Sequence, residues 1–275
     1  MSAFTVPDTL SPSRVSSFQD CPLQFRFSAI QGLPQPPGIH AVKGNVVHRA
    51  LELLLSHDPE HRDRELAHDS LTQARNEFAP TYDFTGLQLS DKAAETFWRD
   101  CSSLIDGYLR MEDPQTIRAA ELELWVEAPL GPIRVRGYVD RLEQQDDGSL
   151  VITDYKTGKA PRETDIDARM RQLEMYAYMI RAMRGELPAK MQLLYVKDGV
   201  RLVREPTEQA MRFVVTRITA LHAAIERACT TGGFPPRTSG LCNFCNFKPW
   251  CPAFGGDPDR AADEAPLRYP RPASS

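Results

Sequence analysis

Long apolar runs are missing from this 275-residue sequence. The longest strongly apolar stretches, such as Leu53-Leu54-Leu55, are a few residues each, which excludes a membrane-spanning helix. The first residues, Met1-Ser2-Ala3-Phe4-Thr5-Val6-Pro7-Asp8, lack a basic cluster followed by an apolar block. No secretory signal is therefore expected, and the expected location is the cytoplasm. There is no surplus of positive charge: 33 basic against 37 acidic residues give a net charge of −4. Coating nucleic acid through bulk charge is unsuited to such a chain, although a basic cleft is compatible with it. Cysteine is scarce. Six in the whole chain are too few for a disulfide scaffold. No G-x-x-x-x-G-K-[ST] element occurs, so no P-loop motor is encoded in these residues, and no internal repeat is visible.

What is present is ordinary globular composition, 41% apolar and 25% charged, at a length that suits one large domain or two small ones. Residues 10–30 open with a helix signal, with Ser11 or Ser13 as cap and a break at Pro22. A second helix is expected over 41–56, where Val47, Leu51 and Leu54 form one stripe, and a third over 90–111. Residues 57–70, rich in charge, read as a solvated connection. The period then changes from helical to alternating. Strands are expected over 120–128, 133–139 and 150–152, with a hairpin turn at Asp146-Asp147-Gly148-Ser149. Helices over 165–184 and 207–229 bracket two further strands at 191–196 and 200–204, and the Pro- and Asp-rich stretch 255–275 is expected to be disordered.

The hairpin carries chemistry. Asp154 and Lys156 are two apart and project from one face of a strand. Pairing about a turn centred near Asp147 sets Asp140 nearly opposite Asp154, at a Cβ spacing of about 4.5–5.5 Å. Two carboxylates that close repel unless a cation lies between them, and a hard divalent ion suits oxygen ligands. Lys156 could orient or deprotonate a water beside such an ion. On pattern alone, a solvent-facing hairpin with scattered charges remains the alternative. His48, beside the stripe of its helix, reads either as a structural residue or as a further ligand. Gln172 and Tyr176, four apart on a helix, share a face, which amphipathic packing also explains.

Near the C-terminal end, Cys242, Cys245 and Cys251 form C-x-x-C-x5-C. Three thiols in ten residues are a strong metal signal that lacks a fourth ligand, for which Cys21 and Cys229 compete. Cys101 sits on an apolar helical stripe and reads as core. Four thiolates suit structural zinc or an iron–sulfur cluster equally by spacing.

Taken in order, Cys21, Gly44-x-x-x-His48, Gly137-x-x-Asp140-Arg141, Asp154-Tyr155-Lys156-Thr157-Gly158, Gln172-x-x-x-Tyr176 and the cysteine triplet resemble the RecB-like branch of the PD-(D/E)XK nuclease superfamily. The similarity is to members with a four-cysteine iron–sulfur cluster, such as the nuclease domains of AddAB-type recombination enzymes and CRISPR-associated adaptation nucleases. It runs from about residue 10 to 254. One departure is Val139 where many members place proline.

The resemblance implies an α/β, restriction-endonuclease-like core, a mixed central sheet flanked by helices, with an N-terminal helical region and a C-terminal cysteine-cluster segment. It implies a single domain over 1–254. It further implies a Mg²⁺- or Mn²⁺-dependent DNA nuclease, a single-strand-preferring exonuclease of repair or recombination, acting on free ends with a helicase or recombination partner. The alternatives are a non-catalytic DNA-binding scaffold and a CRISPR-adaptation-type nuclease, with RNA open as a substrate. Within that scheme His48, Asp140, Asp154 and the Tyr155 carbonyl hold the metal, and Lys156 positions the attacking water. Gln172 and Tyr176 steady the site, and Glu121 is the upstream glutamate, with Glu123 pointing the same way. Cys21, Cys242, Cys245 and Cys251 hold a 4Fe–4S cluster, zinc being the alternative.

Overall fold

A computed structural model describes residues 3–270. In chain order the elements are β1 (Thr9–Leu10), α1 (Pro12–Asp20), α2 (Pro22–Phe25), α3 (Ile39–Ser56), α4 (Arg64–Phe78), α5 (Tyr82–Thr85), α6 (Asp91–Met111), β2 (Ala119–Leu130), β3 (Ile133–Gln144), β4 (Leu150–Lys156), α7 (Ile166–Arg184), β5 (Lys190–Tyr195), β6 (Val200–Arg204), α8 (Glu208–Thr231) and α9 (Ala261–Arg268). The chain divides into two compact units. One unit takes Met1–Pro36, Pro129–Arg136 and Phe213–Ser275; the other takes Pro37–Ala128 and Gly137–Arg212.

The second unit is built on the sheet. β3 and β4 pair antiparallel, β4 and β5 parallel, β5 and β6 antiparallel, and β2 pairs with β3. A parallel β4–β5 pair requires a crossover, and α7 supplies it. The β3–β4 turn forms where the Asp-Gly signal stands. Gly148 takes the left-handed conformation at φ +85°, and Gln145 N–H donates to the Ser149 carbonyl at 2.9 Å. Against the sheet lies a core of Val46, Val47, Leu51 and Leu54 from α3, Leu71 and Ala74 from α4, and Phe97, Cys101, Ile105 and Tyr108 from α6, meeting Tyr155, Leu194 and Val196. Cys101 is fully buried there, as the apolar stripe predicts, and burial pushes its thiol up to about 12.

α4 is a departure from the expected solvated connection. The Asp63 side chain caps it by accepting from Leu66 N–H at 2.8 Å, and Ala67, Leu71 and Ala74 give it a narrow buried stripe. The charged residues that dominate its composition occupy the remaining faces. Gly107 marks a close approach: a Cβ there would meet the Val196 carbonyl oxygen at 2.1 Å.

In the first unit, β1 pairs in parallel with the start of β3, Thr9 with Arg134 and Leu10 with Val135. Ser11 caps α1 by accepting from Arg14 N–H at 3.2 Å, and Pro22 starts α2 after the break at Cys21. The rings of Phe18 and Phe25, and of Phe27 and Phe247, each pack at 5.2 Å between centroids. The tail expected to be disordered instead carries structure from 258 to 268. A 3-10 turn leads into α9, anchored by the buried Ala261 and Ala265 and by the Trp250 indole donating to Glu264 at 2.8 Å. Two buried alanines and one distant tryptophan leave too faint a signal in a Pro- and Asp-rich stretch. Residues 271–275 of that expectation lie outside the described residues.

Candidate active site

The β3–β4 ladder pairs Arg141 with Thr153, and one step beyond lie Asp140 and Asp154. Both are nearly buried, 9% and 4% exposed. Around them gather His48 from α3 and Lys156 from the end of β4, with Gln172 and Tyr176 on α7 beside them. The sequence reading's four central residues therefore converge.

Tyr155 connects them through its backbone. Its N–H donates to Asp140 Oδ2 at 2.7 Å, and its carbonyl accepts from His48 Nε2 at 3.0 Å. A carbonyl can only accept, so Nε2 carries the proton and Nδ1 is turned to Asp140 Oδ1, 3.4 Å away. Lys156 Nζ stands 2.6 Å from Asp154 Oδ2, yet that buried oxygen has no well-aligned hydrogen bond. An acceptor so exposed to a cation and so poorly satisfied fits a site meant for a second positive partner.

Glu123 lies beside His48 and Asp140, and Glu121 does not. His48, Glu123 and Asp140 each offer a ligand atom, all within 4.8 Å of one another. Glu121 instead forms an ion pair with Arg184 near the end of α7. The two glutamates alternate identically in sequence, so alternation does not separate them. Glu123 also takes φ +44°, a left-handed conformation that costs a glutamate roughly 1–3 kcal/mol. Strain of that kind is retained where the surroundings need the side chain re-aimed.

The electrostatics fit a cation site. Burial, with the Asp140 charge, pushes Glu123 up to about 7. Burial works to discharge His48, but the Asp140 and Asp154 carboxylates override it and hold the imidazole at about 9. Burial would also raise Asp140, yet His48 and the Tyr155 N–H hold it low, whereas burial raises Asp154 against the pull of Lys156. Lys156 is kept charged by Asp154 despite its burial. Tyr176, hydrogen-bonded to Gln172, is raised by burial and by Asp154.

Behind Tyr155 lies a network the sequence does not announce. Arg141, fully buried, bonds Glu112 in bidentate fashion at 2.8 and 3.1 Å, Glu143 at 3.0 Å and the Tyr155 hydroxyl at 2.8 Å. Alternation along the strands puts these groups on the face away from Asp140 and Asp154, where they fix the peptide that holds both ligands.

Four of the cysteines lie near one another within the first unit. Burial raises the Cys245 thiol, and the nearby sulfurs of Cys21, Cys242 and Cys251 raise it further. Backbone N–H groups point at two of them, Arg237 at Cys21 Sγ (3.5 Å) and Ser239 at Cys242 Sγ (3.4 Å). Cys229, the rival fourth ligand, directs its thiol to the Thr5 carbonyl at 3.8 Å instead. Four free thiols near one another, two of them accepting from backbone amides, fit a thiolate-ligated metal group.

A profile of the PD-(D/E)XK nuclease superfamily matches residues 9–252. The chain belongs to that superfamily. Its relatives include a subunit of the ATP-dependent helicase/deoxyribonuclease of Streptococcus agalactiae, in three strains, at 24% identity over 159 residues. That match takes in 55% of this chain but only 14% of the relative's length. Among solved structures, a candidate exonuclease from Eubacterium rectale superposes over 86% of this chain and 87% of its own, with a TM-score of 0.56 at 12% identity, a likeness of fold. The fold is the restriction-endonuclease-like one, a mixed sheet flanked by helices. No helix among the described residues is long and apolar enough to cross a membrane.

Proposed function

We propose that this PD-(D/E)XK nuclease is a metal-dependent deoxyribonuclease, a single-strand-preferring exonuclease of repair or recombination. The observation that carries the reading is the convergence of His48, Glu123 and Asp140 within 4.8 Å of one another, with the Asp154–Lys156 pair beside them. A non-catalytic binder of anionic DNA has no use for carboxylates facing its ligand. His48, Glu123, Asp140, Asp154 and the Tyr155 carbonyl would hold Mg²⁺ or Mn²⁺. When bound, the ion polarises the scissile phosphate and lowers the pKa of a water. Lys156, kept charged by Asp154, offsets the charge that grows on the phosphate oxygens and orients the attacking water. Tyr176, positioned by Gln172, steadies the site from α7.

The relative's name joins a deoxyribonuclease to an ATP-dependent helicase. With no P-loop sequence in these residues, duplex unwinding would be supplied by a partner, and single strands or frayed ends are the direct substrate. Cys21, Cys242, Cys245 and Cys251 would hold a 4Fe–4S cluster as a clasp between the N-terminal helices and the C-terminal segment, and amide donors to the sulfurs support a thiolate centre.

Incubation of end-labelled single-stranded and duplex DNA with Mn²⁺ tests the reading. Metal-dependent shortening of the single strand, abolished by Asp154→Ala, is expected. Equal behaviour of the two proteins rejects it.

A further inference from the structure

β2 and β3 leave two aromatic rings at the surface of the second unit. Trp125 is 40% exposed and Tyr138 53%, and their centroids lie 4.9 Å apart with the planes at 63°. Large rings that stay partly exposed forgo part of the gain of burial, so a paired display of them marks a contact surface. Their position is informative. Trp125 follows Glu123 by two residues on β2, and Tyr138 precedes Asp140 by two on β3, with the intervening Val139 buried. On β3, Tyr138 and Asp140, two apart, share a strand face, about 6.6 Å along, and Trp125 is held to that face by its contact with the Tyr138 ring. The ring pair thus continues the same face as the carboxylates, roughly one nucleotide step of an extended strand away.

We propose that Trp125 and Tyr138 form a stacking platform for a base of single-stranded DNA next to the scissile phosphate, an assignment that rests on the nuclease reading. Every base has a π-face, so such a platform tolerates any sequence while requiring an unpaired base. Duplex bases are already stacked on their neighbours and cannot use it. The platform also suits the charge of the chain. A protein of net charge −4 has little bulk attraction for phosphate, and stacking supplies affinity that salt does not screen.

Binding, rather than cleavage, is the test. Anisotropy is measured on the full chain without added divalent metal, using labelled oligothymidylate and an abasic strand of the same length and backbone. The unmodified protein should bind the base-bearing strand roughly tenfold or more tightly than the abasic one. The Trp125→Ala/Tyr138→Ala variant should bind both alike, with unchanged affinity for the abasic strand and an unchanged salt slope. Trp125→Phe should keep part of the preference, which guards against misfolding as the cause of a loss.

The proposal is overturned if the unmodified protein does not distinguish the strands, or if the double variant keeps the preference. It is also overturned if affinity for both strands falls equally, or if the variant's effect is to abolish self-association through this surface. Because no cleavage is read, an inactive but base-sensitive protein would sink only the nuclease reading. A DNA-cleaving protein indifferent to bases would sink only the platform.

Discussion

At the residue scale, the site sets two adjacent carboxylates apart by their surroundings. Asp140 accepts from a backbone N–H and faces an imidazole, while Asp154 is buried against an ammonium that does not satisfy it fully. Glu123 lies with the ligands and Glu121 does not, so their amide variants should part company. Glu123→Gln should weaken Mn²⁺ binding or cleavage roughly 10–100-fold, whereas Glu121→Gln, which loses only a partly exposed pair with Arg184, should change either by less than about twofold. Calorimetric metal titration and initial rates distinguish the two.

His48 gives a pH prediction of definite sign. Its pKa in the folded, metal-free protein, about 9, exceeds the ordinary 6.5. The resulting stabilisation is complete below pH 6.5 and is lost as the pH rises through 9. Metal-free protein should therefore melt a few degrees lower at pH 9 than at pH 6.5, and His48→Gln should flatten that slope. A metal ligand must be neutral, so Mn²⁺ affinity should strengthen over the same interval. Melting curves and titrations in paired buffers check both.

At the element scale, the β3–β4 hairpin works because its two faces differ. One presents ligands, and the other locks Tyr155 through Arg141. Arg141→Met should destabilise the protein by about 3–5 kcal/mol, since Glu112 would keep only the Arg201 pair and Glu143 only the Thr153 hydroxyl. Denaturant unfolding measures it, and a loss under 1 kcal/mol would refute the positioning role. Gly107→Ala should cost roughly 2 kcal/mol or more, because the Val196 carbonyl occupies the space a methyl needs.

The hairpin was legible in the sequence, since an Asp-Gly turn fixes register and register fixes which side chains oppose one another. The convergence of His48 and Tyr176 was legible only through the ordered motifs, because nothing local brings α3 and α7 to the same strand end. α4 was hidden by its charged composition, as its buried stripe is only a few residues wide. The choice of Glu123 over Glu121 depended on Arg184, sixty-three residues downstream, and on a left-handed residue inside a strand. Alternation alone cannot report either. The Arg141 network was equally silent, because Glu112 reaches it from beyond the end of α6.

At the scale of the whole molecule, the proposed ion site and the four cysteines belong to different units. Every proposed ligand of the catalytic ion lies in the unit of Pro37–Ala128 and Gly137–Arg212, and all four cysteines lie in the other. Cys21→Ser should therefore strip the cluster and lower the melting temperature while leaving Mn²⁺ binding by the carboxylates nearly unchanged. Iron and zinc content together with the visible spectrum identifies the cysteine-bound metal. Stoichiometric zinc in colourless protein would replace the iron assignment without touching the nuclease reading.

The partition also fixes an order of events during synthesis. The unit bearing the carboxylates is complete once Arg212 has left the ribosome, so it can fold on the tunnel rim while translation continues. The other unit is assembled from three separated stretches, the last beginning at Phe213. Its opening stretch can pair through β1 with the start of β3, but it meets the closing stretch only when that emerges. On the proposed cluster, the four thiols can be tied together only after Cys251 has emerged, so chains deprived of the cluster's metal should keep a finished ion-binding half while Cys21 and the closing cysteines remain unlinked.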